Sequence, residues 1–92
     1  MVKIVELTTP DCSVCKMIAP MVAKTVAEFP ADKLSFFSVN ALEGQGKALA
    51  EKHGVHRVPT FFFLNEANEV TYRHEGAINP AIIREKVNAM LG

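Results

Sequence analysis

Residues 12–20 read CSVCKMIAP, a helical pattern that begins with a pair of cysteines. These two residues, Cys12 and Cys15, are the only cysteines in the chain. Two intervening residues bring both sulfurs onto one helical turn, where they can close into a disulfide and reopen. At the start of a helix, the unpaired N–H groups and the helix dipole favour the thiolate of Cys12. The spacing therefore predicts dithiol chemistry.

The composition describes a small chain of balanced charge. Its 92 residues include 10 basic and 10 acidic side chains, which leaves a formal net charge of zero at pH 7. This length fits one domain, residues 1–92, and the balanced charge gives no indication of a nucleic-acid or membrane partner. The apolar start, residues 1–7, is broken by Glu6 and is too short for a signal peptide or a membrane span, so we expect a cytoplasmic protein. In a reducing cytosol, a CxxC pair is typical of catalytic or metal-binding sites.

The hydrophobic pattern predicts four strands and three helices in the order βαβαββα. Alternation or short apolar runs predict strands over residues 2–8, 34–40, 58–64 and 70–74. Three- and four-residue spacing predicts helices over about 13–29, over 43–53 and from residue 80 onward. Val14 and Met17 are expected in the buried stripe of the first helix. Pro20 is expected to interrupt the first helix without ending it. The run LSFFSVN, residues 34–40, suits a strand buried on both faces, so we expect it at the sheet centre.

Three segments together resemble one known family. The stretch 12–20 is similar to the active-site helix of thioredoxins, and GVHRVPT, residues 54–60, followed by three phenylalanines, resembles their cis-proline loop and next strand. Gly76-Ala77 resembles the glycine region after their hairpin, and Ala77-Ile78 stands where a glutaredoxin is expected to carry an acidic pair. The first strand and helix of full-length thioredoxins have no counterpart here. The resemblance implies a thioredoxin fold, an α/β fold with a central four-stranded mixed sheet flanked by three helices.

The resemblance also implies catalytic roles. Cys12 takes the position of the nucleophile and Cys15 that of the resolving thiol. Glu6 occupies the position of a buried carboxylate, which could take the proton of Cys15 if burial raises its pKa. Alternation along the strand leaves open whether Glu6 is buried or faces outward.

Further residues are implied in substrate binding and in tuning the dithiol. Pro59 corresponds to a cis-proline that faces the cysteines, with Val58 presenting backbone to an extended substrate and Gly76 nearby. Asp11 stands where the family has tryptophan, and its carboxylate opposes the thiolate of Cys12. Lys16, one turn into the helix, favours that thiolate.

The implied activity is thiol–disulfide exchange with protein disulfides, by a monomer that needs no cofactor beyond its own Cys12–Cys15 disulfide. A reductase recharges the dithiol. One alternative is a dedicated electron carrier or docking subunit of a larger redox system, and a glutaredoxin-like protein is another. A third is a zinc site, because Cys12, Cys15, His53 and His56 supply four possible ligands, although the spacing of the two histidines is short.

Overall fold

The computed structural model describes residues 1–92, which form four strands and three helices. The strands are β1 (Val2–Thr8), β2 (Leu34–Asn40), β3 (Thr60–Leu64) and β4 (Val70–Glu75). The helices are α1 (Ser13–Val26), α2 (Gly44–Lys52) and α3 (Pro80–Leu91). Their order is βαβαββα, which confirms the predicted order. None of the helices combines the length and apolar character that crossing a bilayer requires.

The strands form one mixed sheet in the order β2-β1-β3-β4. β1 and β2 are parallel, whereas β1–β3 and β3–β4 are antiparallel. The predicted four-stranded mixed sheet is therefore confirmed. The register places Leu7 opposite Thr60 and Thr60 opposite Glu75. The C-terminal ends of β1 and β4 thus lie at the same end of the sheet as the start of β3.

The prediction that residues 34–40 form the sheet centre is wrong, because β2 is an edge strand. Its two adjacent phenylalanines have different environments. Phe36 packs against the core, whereas Phe37 is 47% exposed on the opposite face. An apolar run of this kind is therefore compatible with a strand that has one covered face and one partly exposed face. The central position belongs to β1 and β3, and β3 contributes three phenylalanines that are at most 1% exposed, namely Phe61, Phe62 and Phe63.

The core lies between the sheet and the helices α1 and α3. It joins Ile4 and Phe61 of the sheet to Val22 of α1 and to Ile83 and Val87 of α3. The short helix α2 belongs to the other face. Because both faces are covered near the end of β1, its neighbouring residues Glu6 and Leu7 are both buried, which breaks the strand's alternation.

Several element ends follow from local chemistry. α1 runs through Pro20 as expected, but it ends at Val26 rather than near Phe29. The amides of Glu28 and Phe29 bond to carbonyls three residues back, at Thr25 and Val26, which tightens the chain into a turn. α3 starts at Pro80, and the side chain of its N-cap residue Asn79 accepts a hydrogen bond from the amide of Ile82 over 2.9 Å.

Candidate active site

The two cysteines form a disulfide at the start of α1, with a Cα–Cα separation of 5.3 Å. Cys12 is the N-cap residue, and its Sγ accepts a hydrogen bond from the amide of Cys15 over 3.2 Å. Cys12 is partly exposed, whereas Cys15 is buried, with 6% of its surface accessible. The amide of Cys12 bonds to the carbonyl of Thr9, which closes the turn between β1 and the helix. One sulfur is therefore open to a partner and the other is sheltered.

The electrostatic surroundings of Cys12 are mixed. The first turn of α1 contains no acidic residue, so the partial positive charge of the helix end is not neutralised from within. Lys16 lies in this turn and is exposed. Asp11, also exposed, directly precedes Cys12 and brings a negative charge to the same place. Both tuning residues anticipated from the sequence thus flank the dithiol along the chain.

Glu6 is buried on the sheet, with 4% of its surface exposed. It pairs in register with Ser38 of β2 and Phe61 of β3. Its Oε2 atom has no hydrogen-bond partner, and burial raises the pKa of this carboxyl from 4.5 to about 7. Alternation places Glu6 on the face of β1 that carries Ile4, and α1 packs on that face. Since α1 begins at the end of the sheet where β1 finishes, Glu6 lies toward the end of the helix that holds the cysteines.

A loop before β3 brings Val58 and Pro59 to that same end of the sheet. The Val58–Pro59 peptide bond is cis, as the resemblance implies, and Pro59 is fully buried. The strand begins at Thr60, two residues later than predicted, and Pro59 has no N–H to donate to a neighbouring strand. The carbonyl of Pro59 accepts a hydrogen bond from the amide of Gly76 over 2.7 Å, so Gly76 is joined directly to this loop. Gly76 has a φ of 90°, a conformation that favours glycine.

The apolar side chains at the outer side of α1 correct another expectation. The helical pattern assigns Val14 and Met17 to the buried stripe, yet Val14 is 36% and Met17 is 72% exposed. The buried face of α1 is formed by Cys15, Val22 and Thr25, and Met17 points away from it. Val14 and Met17 are close to the cysteines along the helix, so they form an exposed apolar surface beside the dithiol. Sequence periodicity misses this surface because helical spacing alone does not indicate which apolar side chains of α1 the rest of the protein covers.

The four residues considered as zinc ligands do not gather in one place. No three or more His, Cys, Asp or Glu side chains form a group that could hold a metal ion. His53 instead packs against the ring of Phe62, with ring centroids 4.8 Å apart. His56 lines a shallow groove with Leu42 and Val58.

Comparison with known proteins agrees with this geometry. The family model described as Thioredoxin matches residues 2–89. A thioredoxin H-type from Oryza sativa subsp. indica is 34% identical over 74% of this chain and 52% of its own length. Thioredoxin-2 from Saccharomyces cerevisiae is 33% identical over 91% of this chain and 75% of its own length. The chain spans about half the length of the plant relatives it matches.

A solved structure is similar as well. The thioredoxin Mala s 13 of Malassezia sympodialis superposes with a TM-score of 0.79 at 26% sequence identity, over 99% of this chain and 76% of that one. The cysteine pair at the start of a helix, the cis-proline loop and the sheet order are thus accompanied by a family match over nearly the whole length. The chain belongs to the thioredoxin family.

Proposed function

We propose that residues 1–92 form one domain that catalyses thiol–disulfide exchange and reduces disulfides in other proteins. The observation that carries this proposal is the Cys12–Cys15 disulfide at the N-terminus of α1, with one sulfur partly exposed and the other buried. Such an arrangement gives a nucleophile that a partner can reach and a second thiol that acts only within the protein. No cofactor is needed, because the electrons are carried by the two sulfurs.

In the first step, the thiolate of Cys12 attacks one sulfur of the substrate disulfide. The substrate S–S bond breaks as the bond between Cys12 and the substrate forms, and the displaced sulfur leaves as a thiolate that takes up a proton. The amide of Cys15, which bonds to Sγ of Cys12, is placed to stabilise negative charge on that sulfur. Lys16 adds to this effect and Asp11 opposes it.

In the second step, Cys15 releases the substrate. Its thiol gives a proton to Glu6, and the resulting thiolate attacks Sγ of Cys12. The mixed disulfide breaks, the second substrate sulfur leaves, and the Cys12–Cys15 disulfide forms. Two electrons have then passed to the substrate. A carboxyl with a pKa of about 7 suits this role, because near neutral pH it can both accept and return a proton.

Substrate binding is assigned to the surface around the loop before β3. We assign Val58, Pro59 and Gly76 to the groove that receives an extended substrate segment. The exposed side chains of Val14 and Met17 offer apolar contact on the other side of the cysteines. Both surfaces lie at the end of the sheet where the dithiol is found.

The oxidised protein has to be recharged by a reductase that returns two electrons to the disulfide. We propose that it works as a monomer in the cytoplasm, where a reducing environment keeps catalytic dithiols available. Its partners are protein disulfides and the reductase, and neither a nucleic acid nor a membrane is among them.

The test is the reduction of insulin disulfides with dithiothreitol as the electron source. We expect the protein to accelerate insulin reduction well above the rate with dithiothreitol alone, and Cys12→Ser to abolish the acceleration. A wild-type protein that leaves insulin untouched, yet exchanges electrons with a single reductase or partner, favours the dedicated carrier over a general reductase.

A further inference from the structure

Arg73 of β4 contacts an aromatic ring of the sheet and backbone carbonyls near the end of α2. It stands opposite Phe62 of β3, and its guanidinium carbon lies 5.5 Å from the centre of that ring. Its two terminal nitrogens donate hydrogen bonds to backbone carbonyls at the end of α2. One goes to His53 over 2.5 Å and the other to Gly54 over 3.3 Å. Arg73 therefore links the edge strand β4 to the end of a helix across the sheet.

The end of α2 presents backbone carbonyls, which a guanidinium group binds well. The last carbonyls of a helix have no partners within the helix and carry partial negative charge. α2 ends at Lys52 with His53 as its C-cap, and Gly54 follows with a φ of 62°. The planar guanidinium can serve two such carbonyls at once. Its Nε atom is 3.7 Å from the carboxylate of Glu75, too far for a hydrogen bond, so the hydrogen bonds of Arg73 are those to His53 and Gly54.

The chain that leaves α2 is the loop assigned to substrate binding. It runs from Gly54 to Pro59. Its first residues are bound by Arg73 of β4, and its last residue is bound by Gly76, which follows β4. Arg73 binds the carbonyls at the beginning, and the amide of Gly76 binds the carbonyl of Pro59 at the end. Val58, which we assign to substrate binding, lies between these two points.

We propose that Arg73 is a positioning residue that fixes the loop of residues 54–59 for the docking of protein disulfides. This inference rests on the proposed function. Arg73 itself contacts neither the cysteines nor the substrate. Loss of its hydrogen bonds frees the start of the loop, so the backbone at Val58 becomes less ordered. The binding of a protein substrate there then costs more free energy, because the loop has to be ordered first. A small disulfide, which has to reach only Cys12, is unaffected.

The experiment compares a protein disulfide with a small one. Arg73→Met keeps an unbranched apolar stem over Phe62 but removes both hydrogen bonds, and Arg73→Lys keeps the charge with one donor group. Arg84→Met is the matched control, because it removes an exposed arginine that pairs with Glu28 away from the loop. The KM and kcat for insulin are measured, together with the rate constant for 5,5′-dithiobis(2-nitrobenzoate).

For Arg73→Met we expect the KM for insulin to rise roughly fivefold or more with kcat within about twofold of wild type, and the small disulfide to react at the wild-type rate. The KM of Arg73→Lys for insulin is expected to lie between those of wild type and Arg73→Met. Arg84→Met is expected to match wild type. An unchanged KM in Arg73→Met overturns the inference, as does an equal loss for both disulfides. If the wild-type protein reduces neither disulfide, the proposed function fails and the inference fails with it.

Amide hydrogen exchange gives an independent reading that does not require Arg73→Met to fold. The amide of Val55 bonds to the carbonyl of Ala50 over 2.8 Å at the end of α2. In Arg73→Lys we expect this amide to exchange faster, while those of β1 and β3 exchange as in wild type. Wild-type exchange at Val55 in this variant contradicts a positioning role.

Discussion

The amide of Cys15 donates a hydrogen bond to Sγ of Cys12 across the first turn of α1, with a nitrogen–sulfur distance of 3.2 Å. The two cysteines are thus linked by their disulfide and by a hydrogen bond from the backbone amide of Cys15 to Sγ of Cys12. When the disulfide is reduced, the same amide can stabilise a thiolate on Cys12. This bond distinguishes the two sulfurs, because only that of Cys12 receives it.

The roles of the cysteines can be separated by alkylation. Reduced protein treated with limiting iodoacetamide at neutral pH should be labelled mainly at Cys12, because Cys15 is 6% exposed. Mapping the label by mass spectrometry measures this directly. In the same way, Cys15→Ser should accumulate stable mixed disulfides with substrates, whereas Cys12→Ser should trap almost none. Preferential labelling of Cys15 reverses the assignment.

Burial of Glu6 predicts how the stability of the protein depends on pH. Because the pKa of Glu6 rises from 4.5 in its ordinary state to about 7 in the fold, the folded protein keeps a proton that the unfolded chain has lost. The contribution of Glu6 to the free energy of unfolding therefore falls as pH rises from about 4.5 to about 7, and the full loss remains above that range. Replacing Glu6 with Gln should remove this loss, which amounts to about 3 kcal/mol.

Urea denaturation of the oxidised protein at a series of pH values measures this effect. The stability difference between Glu6→Gln and wild type should grow between about pH 4.5 and pH 7.5. Glu85→Gln serves as a control, since the side chain of Glu85 is 72% exposed. A difference that stays constant across the range shows that Glu6 titrates in the fold as it does in the unfolded chain.

Glu6 should also affect the rate at which the mixed disulfide is resolved. In wild type, resolution should quicken as Glu6 loses its proton near pH 7, because only the carboxylate can accept the proton of Cys15. In Glu6→Gln we expect resolution to be about tenfold slower near neutral pH, with the gap closing toward alkaline pH as the thiol ionises unaided. Stopped-flow measurement of product release follows this step. Equal rates across the range remove Glu6 from the mechanism.

Asp11 and Lys16 should shift the dithiol in opposite directions. Asp11→Asn removes a negative charge next to Cys12, so it should increase the thiolate fraction and make the couple more oxidising. Lys16→Gln should decrease the thiolate fraction. Both side chains are exposed, so both effects should shrink as salt is added. Thiolate absorbance of the reduced variants reports the change. If Asp11→Asn leaves it unmoved or lowers it, Asp11 acts through hydrogen bonding or groove shape instead.

The sequence predicts the order of the elements because each has a strong local signal. The cysteine pair, Asn79-Pro80 at the start of α3 and the phenylalanines of β3 act over a few residues, and the structure agrees with them. The position of β2 in the sheet has no such signal. Phe36 and Phe37 read as a buried run, but which strands flank β2 is decided by pairing with β1 far along the chain.

The site could be predicted in part for the same reason. Cys12, Cys15 and Pro59 belong to short recognisable segments. The burial of Glu6 depends on a helix covering the face of β1 that also carries Ile4, which alternation alone cannot indicate. No local pattern indicates the contacts of Arg73, because the carbonyls it binds belong to His53 and Gly54, about 20 residues earlier in the chain. Contacts of this kind arise only from the tertiary fold.

The most direct test of a reducing dithiol is the equilibrium reduction potential of the Cys12–Cys15 couple, titrated against dithiothreitol buffers and followed by alkylation. We expect a reversible two-electron transition with a midpoint nearer to about −270 mV, the range of thioredoxin reductants, than to about −120 mV, the range of strong oxidants of disulfide formation. A midpoint near the oxidising value, or a pair of cysteines that does not titrate reversibly, contradicts the proposal that this protein reduces the disulfides of other proteins.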